Sequence, residues 1–231
     1  KKNLRSKLFI CLMLCVGLSI AQQAKNIEIN FSSSYGADAI KLNDTTSFYS
    51  KKDSIEISSI RFYCSNIQFL KDGKKIWEEK SSYHLIDIAN VKFSKLNLRV
   101  PQNINYDEVK FNLGIDSLTN EMGAMGGDLD PTKGMYWVWN SGYINFKLEG
   151  KSNKCKTRNN EFQFHIGGYS FPFNGLQTIA LPINNTEIIN VDLDVTKFLS
   201  NINLAEENHI MSPSAKALVM AQNIAKSFSA K

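Results

Sequence analysis

Histidine is scarce in this sequence, and its scarcity limits where metal binding or general-base chemistry can occur. Only His84, His165 and His209 are present among 231 residues. Cysteine is almost as rare, because two of the four cysteines, Cys11 and Cys15, fall within the first 21 residues. The remaining cysteines and histidines do not have the close spacing of a structural zinc site. A zinc-finger or zinc-ribbon class is therefore excluded.

Several other features are missing, and each absence excludes a class of protein. There is no long Gly/Ser/Pro linker, block of like charges or internal repeat, which favours a single domain. There is no G-x-S-x-G nucleophile motif and no glycine-rich phosphate loop before a helix. Without a recognisable arrangement of nucleophile and base, we expect a binding protein and not an enzyme.

The positive net charge does not indicate a nucleic-acid partner. The formal net charge is +5, but Lys1, Lys2, Arg5 and Lys7 contribute four of these charges at the extreme N-terminus. A nucleic-acid interface requires a concentrated basic patch, and the rest of the sequence has none. We therefore expect no nucleic-acid partner.

Residues 1–21 have the pattern of a secretory signal peptide. A basic start precedes an apolar run over residues 8–20, and small residues at Ser19 and Ala21 suit cleavage after Ala21. The run is shorter than the roughly 20 apolar residues of a spanning helix. The sequence thus predicts an exported mature domain over residues 22–231, in the periplasm or secreted, with no membrane span.

Alternating apolar and polar residues recur through the body of the chain. We predict strands at the following positions: 27–31, 55–69, 109–115, 143–148, 162–166, 178–183 and 188–195. The Asp72–Gly73 step predicts a hairpin between residues 67–70 and 75–77. Many short strands with little helix predict an all-β fold, an antiparallel β-sandwich or barrel.

The C-terminal segment has helical periodicity instead. Ser212 is the candidate N-cap, and Pro213 suits the first helical position. Apolar residues then recur at helical spacing, so we predict one amphipathic helix over residues 213–228 that packs on the sandwich.

The most informative segment is residues 126–150, GGDLDPTKGMYWVWNSGYINFKLEG. Its tryptophans and tyrosines are typical of buried core, and Asp130 before Pro131 is typical of a rigid turn. Asp128 and Asp130 also offer oxygen donors at the spacing seen in calcium loops, but no bidentate glutamate completes such a loop. A turn is the favoured interpretation.

This segment resembles the MbnP family, whose periplasmic copper-binding members carry a similar DP-x-x-GMYW-x-W-x-x-GY-x-x-x-K-x-EG block. The HIMSPS sequence and the C-terminal residues 223–228 also resemble the family pattern, so the resemblance covers most of the mature chain. It implies an MbnP-like β-sandwich that binds copper for scavenging or handling. It further implies a dihaem peroxidase-like periplasmic protein as a partner.

The residues alone allow two roles for the histidines: structural side chains whose hydrogen bonds are satisfied within the fold, or metal ligands. His84 alternates in phase with Ile86 and Ile88, which predicts the inner face, and His165 alternates against Phe162 and Phe164. Two imidazoles and one further donor can hold copper.

The resemblance adds a ligand assignment to these positions. It implies that His84 and His165 are the copper ligands, because the family ligands lie on an H-L-x-D strand and on a later F-x-F-H-x-GG-like strand. In some members the third ligand is a kynurenine made from a tryptophan two residues before the first histidine, and Ser82 occupies that position here. His209 is interpreted as an exposed loop residue. Thioether donors that could replace the third ligand are Met122, Met125, Met135 and Met211.

Two questions remain open at the level of the sequence. Cys64 and Cys155 could form a disulfide in an oxidising compartment, or Cys64 could be a buried free thiol. The alternative to a copper protein is a metal-free interaction module on the same sandwich, which would contact an envelope protein, because fold does not determine function.

Overall fold

β-Strands dominate the structure, a computed structural model that describes residues 23–42 and 54–231. The predicted signal peptide lies outside the described residues. The strands are β1 (Ala24–Tyr35), β2 (Asp38–Ala39), β3 (Ile55–Lys71), β4 (Lys74–Glu78), β5 (Tyr83–Asp87), β6 (Lys95–Pro101), β7 (Glu108–Leu113), β8 (Tyr136–Trp137), β9 (Gly142–Ser152), β10 (Glu161–Gly167), β11 (Gln177–Pro182), β12 (Ile188–Asp194), β13 (His209–Ile210) and β14 (Phe228–Ala230). The helices are α1 (Ser117–Glu121), α2 (Val195–Leu199) and α3 (Ala215–Ala225). No helix in these two ranges has the length and apolar character needed to span a bilayer.

The strands form two sheets, which confirms the predicted β-sandwich. The smaller sheet has the order β14-β12-β1-β2, with β6 also paired to β1. The larger sheet has the order β11-β7-β3-β9-β10-β13, with β4 and β5 also paired to β3. Most pairings are antiparallel, as predicted, but β1 pairs with β12 and β10 pairs with β13 in parallel.

The main core lies between the two sheets and follows from strand alternation. Ile60, Phe62 and Cys64 of β3 point inward and are fully buried, as is Ile27 of β1. Phe31 meets Phe62 edge-on with ring centroids 5.5 Å apart. Each such buried apolar side chain contributes about 1.5–3 kcal/mol to stability.

A second apolar layer covers the opposite, outer face of the larger sheet. This outer cluster consists of Tyr63, Leu85, Ile115, Leu129, Met135, Trp137, Tyr143 and Ile144. Much of it comes from the aromatic segment 126–150, whose assignment to core and turn is therefore confirmed for most side chains. Trp139 differs, because it is 67% exposed although Trp137 beside it is buried.

The acidic residues at the start of that segment form the predicted turn. Asp130 accepts hydrogen bonds from the backbone N–H and the hydroxyl of Thr132 at 2.8 and 2.7 Å. Asp128 accepts from the backbone N–H of Leu85 at 3.0 Å and pairs with Lys133 at 2.6 Å. Both carboxylates are thus satisfied within the chain, and the turn connects the aromatic segment to β5.

The C-terminal helix is shorter than predicted. Its N-cap is Ser214, whose hydroxyl accepts from the N–H of Ala217, and not Ser212. Phe228 belongs to β14, where it pairs with Leu193 and packs against Phe62. Sequence periodicity could not distinguish the last helical turn from this strand, because an apolar residue suits the core in either conformation.

Cys64 and Cys155 are both buried free thiols, so the disulfide alternative is wrong. Cys155 is next to Ser152, whose carbonyl accepts from its N–H, and Ser152 pairs with Ile55 at the start of β3. Cys64 lies nine residues further along β3, which is about 30 Å at the rise of a strand. A disulfide requires Cα atoms within about 7 Å.

Thiol counting tests this separation directly. We expect native protein to react slowly with iodoacetamide, because both thiols are buried, and denatured protein to gain two adducts without a reductant. Intact mass spectrometry of a chain of residues 22–231, which contains only these two cysteines, measures both. A denatured chain that gains no adduct until it is reduced would contradict the separation of the two cysteines.

Gly150 tests the packing between β3, β9 and β10. A Cβ at this position would lie 2.2 Å from the backbone carbonyl oxygen of Glu56 and 2.6 Å from the Phe162 ring. We expect Gly150→Ala to destabilise the fold by about 2–4 kcal/mol, because the clash is with backbone. Gly126→Ala is the matched control, since a Cβ there would have nothing within 4 Å and the φ of Gly126 is negative. Chemical denaturation measures both, and equal midpoints would contradict this account of the packing.

Candidate metal centre

His84 lies on β5, at the edge of the inner face of the larger sheet. It pairs with Cys64 across the β3–β5 ladder, so the two side chains share that face, as the predicted phase with Ile86 requires. Its Nε2 atom lies 2.7 Å from Oε2 of Glu79. Both side chains are about one quarter exposed, 25% for His84 and 28% for Glu79, so solvent reaches the pair.

The environment of this pair favours an ionised carboxylate at Glu79 and an inert thiol at Cys64. Burial opposes ionisation of Glu79, but the hydrogen bond and charge of His84 outweigh it and hold the pKa of Glu79 below its usual range. Burial, together with the negative charge of Glu79, raises the pKa of the Cys64 thiol well above its usual value. Because the thiolate is the form that binds metal, this raised pKa disfavours Cys64 as a donor.

His165 occupies a different environment on β10. Its Nε2 lies 2.8 Å from Oε1 of Glu149, and only 8% of its side chain is exposed. Lys147, directly opposite His165 in the ladder, also approaches Glu149 to 3.3 Å. The hydrogen bond from His165 lowers the pKa of Glu149 against the opposing effect of burial, and Lys147 lowers it further. The carboxylate of this cluster is neutralised within it, and its imidazole is nearly buried.

The strand register does not bring His84 and His165 together. His165 pairs with Lys147, which pairs with Arg61 of β3, whereas His84 pairs with Cys64. Arg61 and Cys64 are three residues apart on a regular stretch of β3, so their side chains lie on opposite faces.

Distance separates the two histidines as well. Three strand spacings between β10 and β5 amount to about 14 Å, with about 10 Å more along the strand. In this arrangement one ion cannot contact both imidazoles. The predicted shared site is therefore not formed, and each histidine is the partner of one glutamate.

The remaining predicted donors do not complete either pair. His209 is exposed on β13, as expected of a surface residue. Met135 is buried in the outer cluster, and Met122 and Met125 are exposed near α1. Within residues 23–42 and 54–231, no three His, Cys, Asp or Glu side chains gather in a group that could hold a metal.

Glu79 and Glu149 were not identified from the sequence. Glu149 had a detectable signal, because it lies two residues from Lys147 on a regular strand and therefore shares its face. Glu79 had none, since it lies in the connection between β4 and β5, and its position depends on the N–H it donates to the carbonyl of Ile67 at 2.9 Å.

The donor chemistry fits copper in part. An imidazole nitrogen beside an ionised carboxylate suits Cu(II), which accepts nitrogen and oxygen ligands. The His84–Glu79 pair offers both donors to solvent, whereas in the His165–Glu149 pair the imidazole is nearly buried and an ammonium group lies beside the carboxylate. A closed site of three protein ligands does not fit these residues.

Comparisons with known proteins agree with the fold. A model of the MbnP family matches residues 24–212. The solved structure described as MbnP from Methylosinus trichosporium superposes with a TM-score of 0.62, at 13% identity, covering 85% of this chain and 87% of that one. At this identity, the likeness to that structure shows the fold alone. A comparison with curated proteins found no match.

Glu149→Gln tests the role of the His165–Glu149 pair in stability. The substitution should lower the free energy of unfolding by about 1–3 kcal/mol at pH 7, because a charge-assisted hydrogen bond to His165 is lost. Folding lowers the pKa of Glu149, so its contribution is present above the unfolded value of about 4.3 and is lost as pH falls through the folded value.

The difference between wild type and Glu149→Gln should therefore shrink below about pH 4. Thermal unfolding from pH 3 to 7 measures it. Glu121→Gln, at an exposed position, is the matched control and should follow the wild type. A penalty that stays constant down to pH 3 would show that the carboxylate charge is not involved.

Proposed function

Because the chain belongs to the MbnP family, we propose that it is an exported copper-handling protein that contacts the ion through His84 and Glu79. The family match over residues 24–212 is the observation that carries the copper assignment. Export is proposed from the leader-like residues 1–21. The choice of His84 is supported by its accessible imidazole beside Glu79.

Charge favours the His84–Glu79 pair over the other histidine pair. The lowered pKa of Glu79 keeps the carboxylate negative at neutral pH, which compensates the charge of a bound cation. At His165 the carboxylate of Glu149 is already neutralised by Lys147, and the imidazole is nearly inaccessible. A cation would have to displace that lysine and open the outer face of the sheet.

Two protein donors leave the other coordination positions of the ion to water or to a partner's ligands. Such a site exchanges its ion more readily than a closed site of three or four protein ligands, because fewer bonds must break. We therefore propose transfer or short-term holding of copper and not tight storage. Binding of one ion by both histidines would require a different strand arrangement, because β5 and β10 are three strand spacings apart and the two imidazoles lie on opposite faces of the sheet.

A metal-free interaction module is the second candidate. It is supported by a group of exposed apolar side chains on the loops around α1 and β8, which is the kind of surface that contacts other molecules. The two candidates differ in whether the chain binds copper.

Copper titration separates these candidates. We expect His84→Ala and Glu79→Gln each to weaken Cu(II) binding at least about tenfold, since each removes one of two protein donors. His209→Ala and His165→Ala should leave the affinity within about twofold. Binding should also weaken toward acid pH, because protonated imidazole cannot coordinate. Competition with a chromogenic chelator measures the affinity.

Thermal unfolding of each variant without copper controls for the loss of the fold. If His165→Ala lost copper binding while His84→Ala bound copper like the wild type, the site would lie on β10 instead. No Cu(II) binding by the wild type in the chelator competition would reject copper handling and leave the interaction module.

A further inference from the structure

Six exposed apolar side chains lie on three segments beside the outer cluster. We call them the apolar end, and they are Leu118, Met122, Met125, Val138, Trp139 and Phe171. Phe171 is 96% exposed and Val138 is 81% exposed, so these side chains project into solvent. Of the eleven large apolar residues that are exposed in the described part of the chain, more than half belong to this group.

The three segments that carry the apolar end are fixed to one another by polar contacts beneath it. Ser117 donates its hydroxyl to the carbonyl of Tyr169 at 2.5 Å, and Asn174 donates to Ser117 at 3.3 Å. Asn120 accepts from the backbone N–H of Tyr143 at 2.9 Å, which ties α1 to the start of β9.

The Tyr169 ring completes this framework. It lies so close to Gly142 that a Cβ on that glycine would be 3.1 Å from the ring. Trp139 rests on the buried Trp137, with ring centroids 5.9 Å apart. The apolar tips are therefore presented together on a fixed base and not on independent loops.

Charge is almost absent from these segments. Residues 117–127, 136–142 and 168–176 contain one charged side chain, Glu121, in a chain that is 21% charged. Lys and Arg are missing from all three. A surface of this kind does not attract anionic or cationic partners, but it can enter the interfacial region of a neutral bilayer without desolvating charges.

We propose that the apolar end docks on a lipid bilayer, with the side chains of Trp139, Val138 and Phe171 inserted at the headgroup level. Tryptophan is favoured at that level because its ring is apolar and its N–H remains able to bond to water or headgroups. The apolar side chains belong to three neighbouring segments, and a fluid phase can adapt around each of them. Docking by apolar insertion predicts binding to zwitterionic lipid with little dependence on salt.

Vesicle binding tests the proposal with the mature chain. Wild type should co-sediment with phosphatidylcholine vesicles, with similar affinity at 50 and 500 mM NaCl and no more than about a twofold gain when anionic lipid is added. Val138→Ser with Trp139→Ser should weaken binding at least about tenfold. Val91→Ser with Val219→Ser is the matched control, because these residues are also exposed but lie outside the apolar end, and it should bind like wild type.

Fluorescence gives a second readout that loss of fold would not mimic. Trp139 emission should shift to the blue on vesicles and be quenched by brominated acyl chains, whereas Trp139→Phe should still bind but lose the shift. Wild type that does not co-sediment with either lipid would overturn the proposal. It would also be overturned by binding that needs anionic lipid and low salt, or by a dimer in lipid-free solution that Val138→Ser with Trp139→Ser dissociates.

Discussion

Burial of both faces of strand β3 is the constraint on which the rest of the structure depends. Phe62 points into the main core and Tyr63, the next residue, into the outer cluster, and both are fully buried. An antiparallel sheet commonly leaves one face to water, so a strand apolar on both sides requires a second covering layer. The aromatic segment 126–150 supplies this layer through Met135, Trp137 and Tyr143. The aromatic segment thus covers the outer face of β3, and its ring contact with that strand, Tyr63 against Tyr143 at 5.7 Å between centroids, is a packing contact.

The aromatic segment covers only part of the outer face, and this division explains the placement of charge. Beyond the segment a polar row crosses four strands through His165, Lys147, Arg61 and Asp87. Arg61 lies 3.3 Å from Asp87 and donates to the carbonyl of Lys133 at 2.7 Å. Each charge has an opposite charge or carbonyl beside it, as half-buried charges require. His165 belongs to this row, while His84 belongs to the inner edge, so the sheet itself keeps the two imidazoles apart.

Much of the fold could be predicted from the sequence, but less of the site. All seven predicted strands exist, because half-buried strands leave a period of two in the sequence. Strand β6 was not predicted, although it alternates equally clearly at Leu96, Leu98 and Val100. The sequence also indicates that the two histidines lie on opposite faces of the sheet, since His84 is in phase with its apolar neighbours and His165 is out of phase with Phe164. The hydrogen-bond partners of the histidines, such as Glu79, could not be predicted from the sequence, because the geometry of the β4–β5 connection decides where Glu79 lies. The resemblance identified two positions, and only strand register shows how far apart they are.

The parallel pairing of β1 with β12 has a consequence for how the chain acquires this structure. Glu28 lies opposite Ile188, so the first strand of the fold meets its neighbour across about 160 residues of sequence. Its other long partner, β6, is some 70 residues away. Contacts of such separation give a high contact order, which is associated with folding in milliseconds to seconds and not microseconds. The N-terminal strand therefore remains without one of its two long neighbours until nearly the whole chain has been made, and the small sheet closes late.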